Sequence, residues 1–272
     1  MGRCQGLKIR KYIEAVKVNF KAQFAWRADV AFNMIFTISR ILFAYLLWRM
    51  VFSGKEVVSG FTFHSMLSYY IVSSFLSQLE MSEGISSEIF QRIRNGTFSK
   101  YMIIPISMEG YFVAMEAGVV LFYLTFDLLA AFLWVFIFQI EFAFVTDAFI
   151  LFGALCLILL GLLFMVQFSY YLGILTLKYQ GIDTFLMIKN NLMALITGTI
   201  VPLALFPEAV VRVMKALPFY YVTYLPSMLL IGKCQEEAPA GIVIMACWCL
   251  VLQVVIRLTW EKYSRKYDGV GI

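Results

Sequence analysis

Three carboxylates lie on one line of an otherwise apolar segment. Glu109, Glu116 and Asp127 are spaced seven and eleven residues apart, which at about 100° per residue places them within about 20° of one another on a helix. A charge inside hydrocarbon costs at least about 2.5–3.5 kcal/mol on insertion scales, so each needs a partner or a wet cavity. Arg40 is predicted to lie at a similar depth and to pair with Asp127. The pair either locks two helices together or lines a transport path, and the sequence leaves both open.

Motifs for nucleotide hydrolysis, metal binding and nucleophilic catalysis are missing from the sequence. No G-x-x-x-x-G-K-[ST] occurs, since 54–56 reads Gly-Lys-Glu and 232–234 reads Gly-Lys-Cys. H-E-x-x-H and G-x-S-x-G are absent, and the single histidine, His64, cannot form a multi-histidine site. The five scattered cysteines suggest neither disulfides nor zinc. We therefore expect no catalytic residue, cofactor or metal on this chain.

The composition places these residues in a membrane. Of 272 residues, 62% are hydrophobic and 14% are charged, against roughly 45–50% and about 25% in an ordinary soluble domain. A water-soluble fold could not bury so much apolar surface. The composition also excludes nucleic-acid binding as the main function. No linker of Pro, Gly or Ser interrupts the chain, so 1–272 is predicted to be one transmembrane domain.

Long apolar runs locate the spans. A helix that crosses a bilayer core needs about 20 mostly apolar residues. We predict an all-α membrane protein with six transmembrane helices, at 28–52, 57–79, 110–138, 148–177, 190–207 and 238–258.

The basic residues orient these spans. Most of the 22 Lys and Arg residues flank one side of the predicted membrane, and basic residues are retained in the cytoplasm. The basic N-terminal segment has no apolar run before a small-residue cleavage site, so a removable signal peptide is not expected. Both termini of this multi-pass protein are therefore predicted to be cytoplasmic.

The segment 8–25 is predicted to be an interfacial amphipathic helix. Its apolar side chains recur every three or four residues: Ile9, Ile13, Val16, Phe20 and Phe24. A basic opposite flank is typical of a helix that lies on the lipids of the inner leaflet. The helix either serves only as an anchor or also contacts a cytoplasmic partner.

A second amphipathic helix, 86–94, is predicted in the loop after the second span. Ser86 or Ser87 can cap its start, and Asn95-Gly96 is a typical stop. One face holds Ile85, Ile89, Phe90 and Ile93, and the other holds Glu88, Gln91, Arg92 and Arg94. The polar face either docks a partner or the helix rests on lipid.

Four prolines interrupt the segment 190–232: Pro202, Pro207, Pro218 and Pro226. Proline breaks helices, and in lipid broken helices occur where protein or water surrounds them. We predict a break near Pro202, a short surface helix at 208–217, and an aromatic belt at the outer interface made by Phe219, Tyr220, Tyr221 and Tyr224. The segment 208–226 would form a re-entrant cap over the outer end of a pathway.

Two of these stretches resemble the six-span permease subunits of ABC-2-type ABC exporters. Residues 96–98 (GTF) and 100–106 (KYMIIPI) are similar to that family's pattern of a helix, Gly-Thr and a hydrophobic run that ends in proline. Residues 202–207 (PLALFP) and 217–219 (LPF), with Pro226 later, are similar to its outer segment.

The resemblance implies a subunit of the bacterial cytoplasmic membrane that pairs with a second permease, identical or paralogous. Two ABC ATP-binding subunits would bind on the cytoplasmic face and hold the ATP and Mg. The ATPase-coupling residues would be Ser86, Ser87, Glu88, Ile89, Phe90, Arg92, Ile93 and Gly96. The outer re-entrant residues would be Pro202, Pro207, Pro218, Phe219 and Pro226. Closure of the ATPase pair would push 86–94 and tilt the second and third spans.

The function that follows is export of an amphiphile such as a lipid, a hydrophobic drug or a peptide. The spans are apolar and aromatic and carry no basic stripe, which disfavours a polyanion. One alternative is a non-transporting membrane scaffold or assembly protein, in which the inner helix binds a partner without energy coupling. Another is an ion-coupled carrier that uses Asp127 as its proton site.

Overall fold

The structure of the chain is a computed structural model that describes residues 2–25, 27–80, 82–102, 107–137, 144–179, 183–199 and 201–264. Within these ranges the chain is helical. The α-helices are α1 (Gly2–Ala22), α2 (Arg27–Val51), α3 (Phe63–Leu79), α4 (Ser82–Arg94), α5 (Ser99–Met102), α6 (Met108–Ile137), α7 (Ala148–Leu175), α8 (Asp183–Ile196), α9 (Glu208–Ala216), α10 (Tyr224–Leu230) and α11 (Ala238–Ser264). The all-α class predicted from the sequence is confirmed.

Three helices of the described ranges are long and apolar enough to cross a bilayer. They occupy Met108–Phe126, Ala148–Leu175 and Gln235–Ser264. The helix α2 coincides with the first predicted span, whereas α3 has 17 residues and α8 has 14, fewer than the roughly 20 that a perpendicular crossing needs. The multi-pass character is thus confirmed, and the number of six spans stays a prediction.

The second predicted span begins later than expected. Residues 57–62 form a turn in which Val58 and Phe61 pair through their backbones, and the helix α3 starts after Thr62. The Thr62 hydroxyl accepts the Ser65 N–H at 3.3 Å, and the Ser65 hydroxyl accepts the Thr62 N–H at 2.9 Å. This reciprocal cap fixes the helix start, and hydropathy alone does not detect it.

The fifth predicted span, 190–207, is displaced toward the N-terminus in the structure. The helix α8 ends at Ile196, because Gly198 adopts a φ of +76°, a left-handed conformation that suits glycine. It begins at Asp183 and therefore contains Lys189, whose side chain is only 6% exposed. The helix therefore begins ahead of residue 190, where the predicted span starts.

The helix α7 is the centre of the bundle. It packs along α11, contacts α4 near its C-terminus and contacts α10 in its N-terminal half. We call the end of the bundle that holds α4 the α4 end. The opposite end holds α9, α10 and the 3₁₀ turn Pro218–Tyr221 between them, and we call residues 208–230 the cap.

The two largest buried clusters among the described residues fill the bundle at these ends. The larger one lies beneath the cap and includes Phe61, Met66, Tyr69, Leu157, Met165, Tyr220, Leu225 and Met245. The smaller one seats α4 and includes Ile85, Ile89, Phe98, Phe112 and Ile174.

The helix α1 packs against α6 side by side. The Tyr12 hydroxyl lies 3.0 Å from Ser107 Oγ, and Phe20 contacts the Phe122 ring edge to face at 5.5 Å. The contacts therefore advance in the same direction along both helices, over about 12 Å of α1 and about 22 Å along α6 and the residue before it, at 1.5 Å per residue. The backbone of α1 also meets Gly118 of α6, where a side chain would collide with it. An interfacial position of 8–25 stays a prediction, but its apolar face is partly used against α6.

Candidate functional site

The helix α4 is amphipathic, and its apolar face is buried in the chain. Ile85 and Ile89 are 0% exposed and Phe90 is 6% exposed. Ile85 and Ile89 are four residues apart and lie on one side of the helix, and the adjacent Phe90 widens this apolar face. The structure extends the predicted helix 86–94 by one turn, to Ser82. The helix is therefore anchored to the bundle rather than lying loose on its surface.

The seat of α4 is on α7. A Cβ at Gly173 would lie 2.8–3.0 Å from side-chain atoms of Ile89, so only glycine admits this isoleucine at such close range. One turn earlier, the buried N–H of Ser86 donates to Ser169 Oγ at 2.9 Å. The two contacts fix where α4 lies along the axis of α7 and which face of α4 is turned toward it.

The first turn of α4 carries a third contact, from α6. The carboxylate of Glu116 lies directly over Gly84, in the space that a Cβ there would occupy. Carboxylates near a helix N-terminus are favoured by the helix dipole by roughly 0.3–1 kcal/mol. Glu116, predicted as part of an acidic stripe, thus positions the start of α4.

The C-terminus of α4 is closed by Gly96. Its φ is +67°, the Gly96 N–H donates to the Ile93 carbonyl at 3.1 Å, and the Thr97 N–H donates to the Arg92 carbonyl at 2.9 Å. These two hydrogen bonds together form the Schellman motif, which satisfies the last carbonyls of a helix. Gly96, predicted as a coupling residue, sets the end of the helix and the direction of the chain that follows.

Replacing Gly96 with alanine should destabilise the end of α4 by about 1 kcal/mol, because a Cβ disfavours the left-handed conformation. Amide hydrogen exchange in 90–97 should speed up about fivefold. Gly96→Asn is the matched control and should change exchange less, since asparagine tolerates this conformation. Equal exchange in Gly96→Ala and the unsubstituted chain would contradict this role.

The polar face of α4 is directed away from the bundle. Gln91, Arg94 and Asn95 are exposed. Glu88 and Arg92 are half-buried and form an ion pair at 2.6 Å, with the Arg92 guanidinium 5.5 Å from the centre of the Tyr101 ring. This face offers hydrogen-bond donors and a net positive charge to anything that contacts the α4 end.

The predicted coupling residues separate into two groups in the structure. Ser86, Ile89 and Phe90 are buried, so they hold α4 in place and are covered by the chain itself. Ser87, Glu88, Arg92, Ile93 and Gly96 are half-buried. Gln91, Arg94 and Asn95 are exposed, and the predicted set lacks all three.

The acidic stripe of α6 is divided between neighbours. Glu116 faces α4, whereas Glu109 is half-buried and within electrostatic range of Arg257 on α11 and Tyr170 on α7. The side chains of Arg40 and Asp127 lie outside the described residues, and their pairing stays a prediction. The structure places both residues within the helices α2 and α6.

The cap end is held by tyrosines that point inward. Tyr220, Tyr221 and Tyr224 are at most 4% exposed. The Tyr221 hydroxyl donates to the Lys215 carbonyl at 2.7 Å, and the Tyr220 hydroxyl donates to Glu237 Oε2 at 2.9 Å. The predicted aromatic belt is therefore wrong for these tyrosines, because partners within the chain satisfy their hydroxyls and their rings fill the core.

The predicted prolines mark the irregular points of this end. Pro202 directly precedes the 3₁₀ turn Leu203–Leu205, and Pro207 directly precedes the helix α9. Pro218 begins the 3₁₀ turn that follows α9. Pro226 lies in α10, and Phe219 packs between Phe164 and Phe168 of α7. The break of the fifth span occurs at Thr197 and Gly198, ahead of Pro202.

Polar contacts attach the cap region to three neighbouring segments. Lys215 Nζ lies 2.7 Å from Glu237 Oε1. Lys233 donates to the Gly60 carbonyl and lies 3.9 Å from the centre of the Phe61 ring. The Val145 N–H donates to the Leu230 carbonyl at 3.0 Å. The cap is thus tied to Glu237 and to Val145, and the residues that follow it are tied to the turn at Gly60.

The thiol of Cys234, beside the cap, should titrate above the usual range. Burial, and then the negative charge of Glu237, raise the pKa of Cys234, while Lys215 and Lys233 oppose them. The rate of alkylation by N-ethylmaleimide should be low at neutral pH, because the thiolate is the reactive form. The rate should still rise with pH above about 8.5, the pKa of an ordinary free cysteine. The measurement uses a chain whose other cysteines are replaced with alanine.

Glu237→Gln should lower the pKa of Cys234, so alkylation should reach its half-maximal rate at a lower pH. Glu236→Gln, at the neighbouring exposed position, is the matched control. Identical pH profiles for Glu237→Gln and Glu236→Gln would show that the Glu237 charge is not responsible.

A family model described as ABC-2 family transporter protein matches residues 38–271. The match starts within α2 and includes α4, the cap and α11, whereas α1 precedes it. No curated protein matches the chain. Among the described residues, no group of three or more His, Cys, Asp or Glu side chains could hold a metal ion.

Proposed function

The chain belongs to the ABC-2 family of transporter proteins, and on that premise we propose that it is the permease subunit of an ATP-driven exporter. The family supports a membrane transport permease and, in general, partnership with an ATP-binding subunit. Export, the substrate class and the composition of the complex are our proposal. Two ATP-binding subunits hold ATP and Mg, and a second permease, identical or paralogous, completes the translocation pathway.

The observation that carries the proposal is that α4 has two different faces. We call the buried side with Ile85 and Ile89 the seated face, and the exposed side with Gln91 and Arg94 the presented face. Ile85 and Ile89 are fully buried against the bundle, while Gln91 and Arg94 are exposed at its end. A helix that only rested on lipid would direct its apolar side chains into the bilayer. Here those side chains are used within the chain, and the polar face is left for a protein partner.

The charge of this face indicates the chemistry of the partner surface. From Glu88 to Lys100 the chain carries one acidic residue and three basic ones, and two of the basic residues, Arg94 and Lys100, are exposed. Complementary potentials favour binding and orient the partners. We infer that the groove of the ATP-binding subunit that receives α4 is acidic.

The α4 end is proposed to face the cytoplasm of a bacterial cell. Lys178 follows α7 and Lys262 lies in the last turn of α11, both at this end. Basic residues concentrate on the cytoplasmic side of membrane proteins. The cap is then at the outer surface.

The proposed substrate is an amphiphile such as a lipid, a hydrophobic drug or a peptide. The candidate spans are apolar and expose large side chains, among them Phe152 of α7 and Leu250 of α11. Such surfaces favour an apolar cargo over a polyanion, which would need a basic path through the membrane.

Co-purification from native membranes tests the proposal. A tagged chain extracted in mild detergent should carry an ATP-binding subunit, and mass spectrometry should identify the second permease. In proteoliposomes, movement of a fluorescent short-chain phospholipid should require ATP. A complex without an ATP-binding protein would favour a scaffold, and movement driven by a proton gradient without ATP would favour a carrier.

A further inference from the structure

We propose that α7 transmits the movement of α4 to the cap, with the glycines Gly173 and Gly161 as the two points of transmission. This inference rests on the proposed function, since it assumes that an ATP-binding subunit moves α4. It differs from the expectation that the second and third spans tilt directly. Among the described elements, α4 packs most extensively on α7.

The input contact is close and specific. Ile89 of α4 sits in the notch of Gly173, where a Cβ would be 2.8–3.0 Å from its atoms. Ser169, on the same face of α7 four residues earlier, accepts the Ser86 N–H. An apolar knob in a glycine notch and a buried hydrogen bond resist sliding, because close-packed interiors transmit strain.

The output contact is at the other half of the same helix. A Cβ at Gly161 would lie 3.2 Å from Val222 Cα and 3.4 Å from its carbonyl oxygen, so the cap backbone presses on α7 there. The ring of Phe219 also meets Phe164 at 5.8 Å and Phe168 at 5.7 Å, edge to face in both cases. The cap therefore follows a displacement of this part of α7.

Between these contacts α7 is an uninterrupted helix. It has 28 residues from Ala148 to Leu175 and contains no proline. Gly161 and Gly173 are separated by about 18 Å of helix at 1.5 Å per residue. The helix has no kink-forming proline that would absorb a displacement between the two points.

Other routes exist and make the proposal testable. The cap also contacts α3, through the Tyr69 ring against Tyr224, and the start of α11, through Lys215 and Glu237. If these routes dominate, disturbance of the α7 contacts should leave the movement of the cap unchanged.

The experiment measures cap movement in the complex of the full chain with its ATP-binding subunit. Spin labels on cysteines at positions 55 and 213, both exposed in the structure, report the distance between the α2–α3 loop and α9. The distance is recorded by double electron–electron resonance without nucleotide and with ATP. The unsubstituted chain should show an ATP-dependent shift.

Two variants disturb the transmission at its two ends. Gly173→Ala forces Ile89 out of its notch, and Gly161→Ala pushes Val222 away. Gly153→Ala is the matched control on the same helix, because its Cβ would meet only Ala238 Cβ, at an ordinary 3.7 Å. The first two variants should lose the ATP-dependent shift, and Gly153→Ala should retain it.

Gly161→Ala separates transmission from simple instability. Position 161 is remote from the presented face of α4, so this variant should keep its ATP-binding subunit and its ATP hydrolysis while losing the shift. If Gly173→Ala does not fold, Gly161→Ala alone still tests whether α7 transmits the movement. A normal shift in Gly161→Ala would overturn the role of α7. Absence of an ATP-binding subunit or of any shift in the unsubstituted chain would instead overturn the proposed function.

Discussion

Replacing Arg94 with glutamate should release the ATP-binding subunit and abolish ATP-dependent transport. Arg94 is exposed on the presented face of α4, and the proposed groove is acidic. Charge reversal places like charges together, which costs several kcal/mol at a protein interface. A loss of about 3 kcal/mol corresponds to binding that is roughly a hundredfold weaker.

Two comparison variants separate docking from folding. Arg94 also lies 6.0 Å from the centre of the Phe90 ring, a contact worth about 0.5–1 kcal/mol at an exposed site. Arg94→Gln removes this contact without reversing charge, so its effect should be intermediate. Arg212→Glu reverses an exposed arginine on α9, at the opposite end, and should leave binding unchanged.

The measurement is the dissociation constant of the ATP-binding subunit for the purified permease in detergent, together with transport in proteoliposomes. Equal binding by Arg94→Glu and Arg212→Glu would contradict docking at the presented face. Loss of the folded permease in Arg94→Glu would assign Arg94 to the structure of α4 instead.

Replacing Gly118 with alanine should detach α1 from α6. The new Cβ would collide with the Val16 carbonyl oxygen and approach Asn19 Cβ to 3.0 Å. The main obstacle is backbone, which cannot rotate away as a side chain can. Overpacking costs typically 1–3 kcal/mol, and we expect the upper part of that range.

Trypsin measures this detachment, because cleavage inside a helix requires local unfolding. Lys17 and Lys21 are exposed on α1. A loss of about 3 kcal/mol in docking should raise the cleavage rate there by roughly a hundredfold. Gly153→Ala on α7 is the matched control and should cleave like the unsubstituted chain. Unchanged cleavage in Gly118→Ala would show that α1 does not depend on this contact.

Helices whose apolar residues recur with a strong helical period could be predicted from the sequence. The neighbouring helices against which they pack could not be predicted. The four-residue spacing of Ile85 and Ile89 located α4 to within one turn of its observed start. The same pattern is compatible with lipid or with protein beneath the helix. Only the position of Gly173, 84 residues farther along the chain, decides between them.

Boundaries set by local backbone chemistry were harder to predict. The start of α3 depends on the reciprocal Thr62–Ser65 bonds, and the end of α8 depends on Gly198. Hydropathy extends through both points.

The tyrosines of the cap show how tertiary partners override a compositional rule. Tyrosines near a span end are often interfacial, because one end is apolar and the other polar. Tyr220 and Tyr221 instead satisfy their hydroxyls through Glu237 and the Lys215 carbonyl. No spacing in the sequence links Glu237 to Tyr220.

Site-specific photo-crosslinking tests the central claim, that the presented face of α4 contacts an ATP-binding subunit. Benzoylphenylalanine is placed at Gln91, exposed on α4, and for comparison at Val213, exposed on the cap. Irradiation of native membranes should join position 91, and not position 213, to an ATP-binding protein. Adducts of position 91 with lipid alone, or with another copy of this chain, would contradict the account.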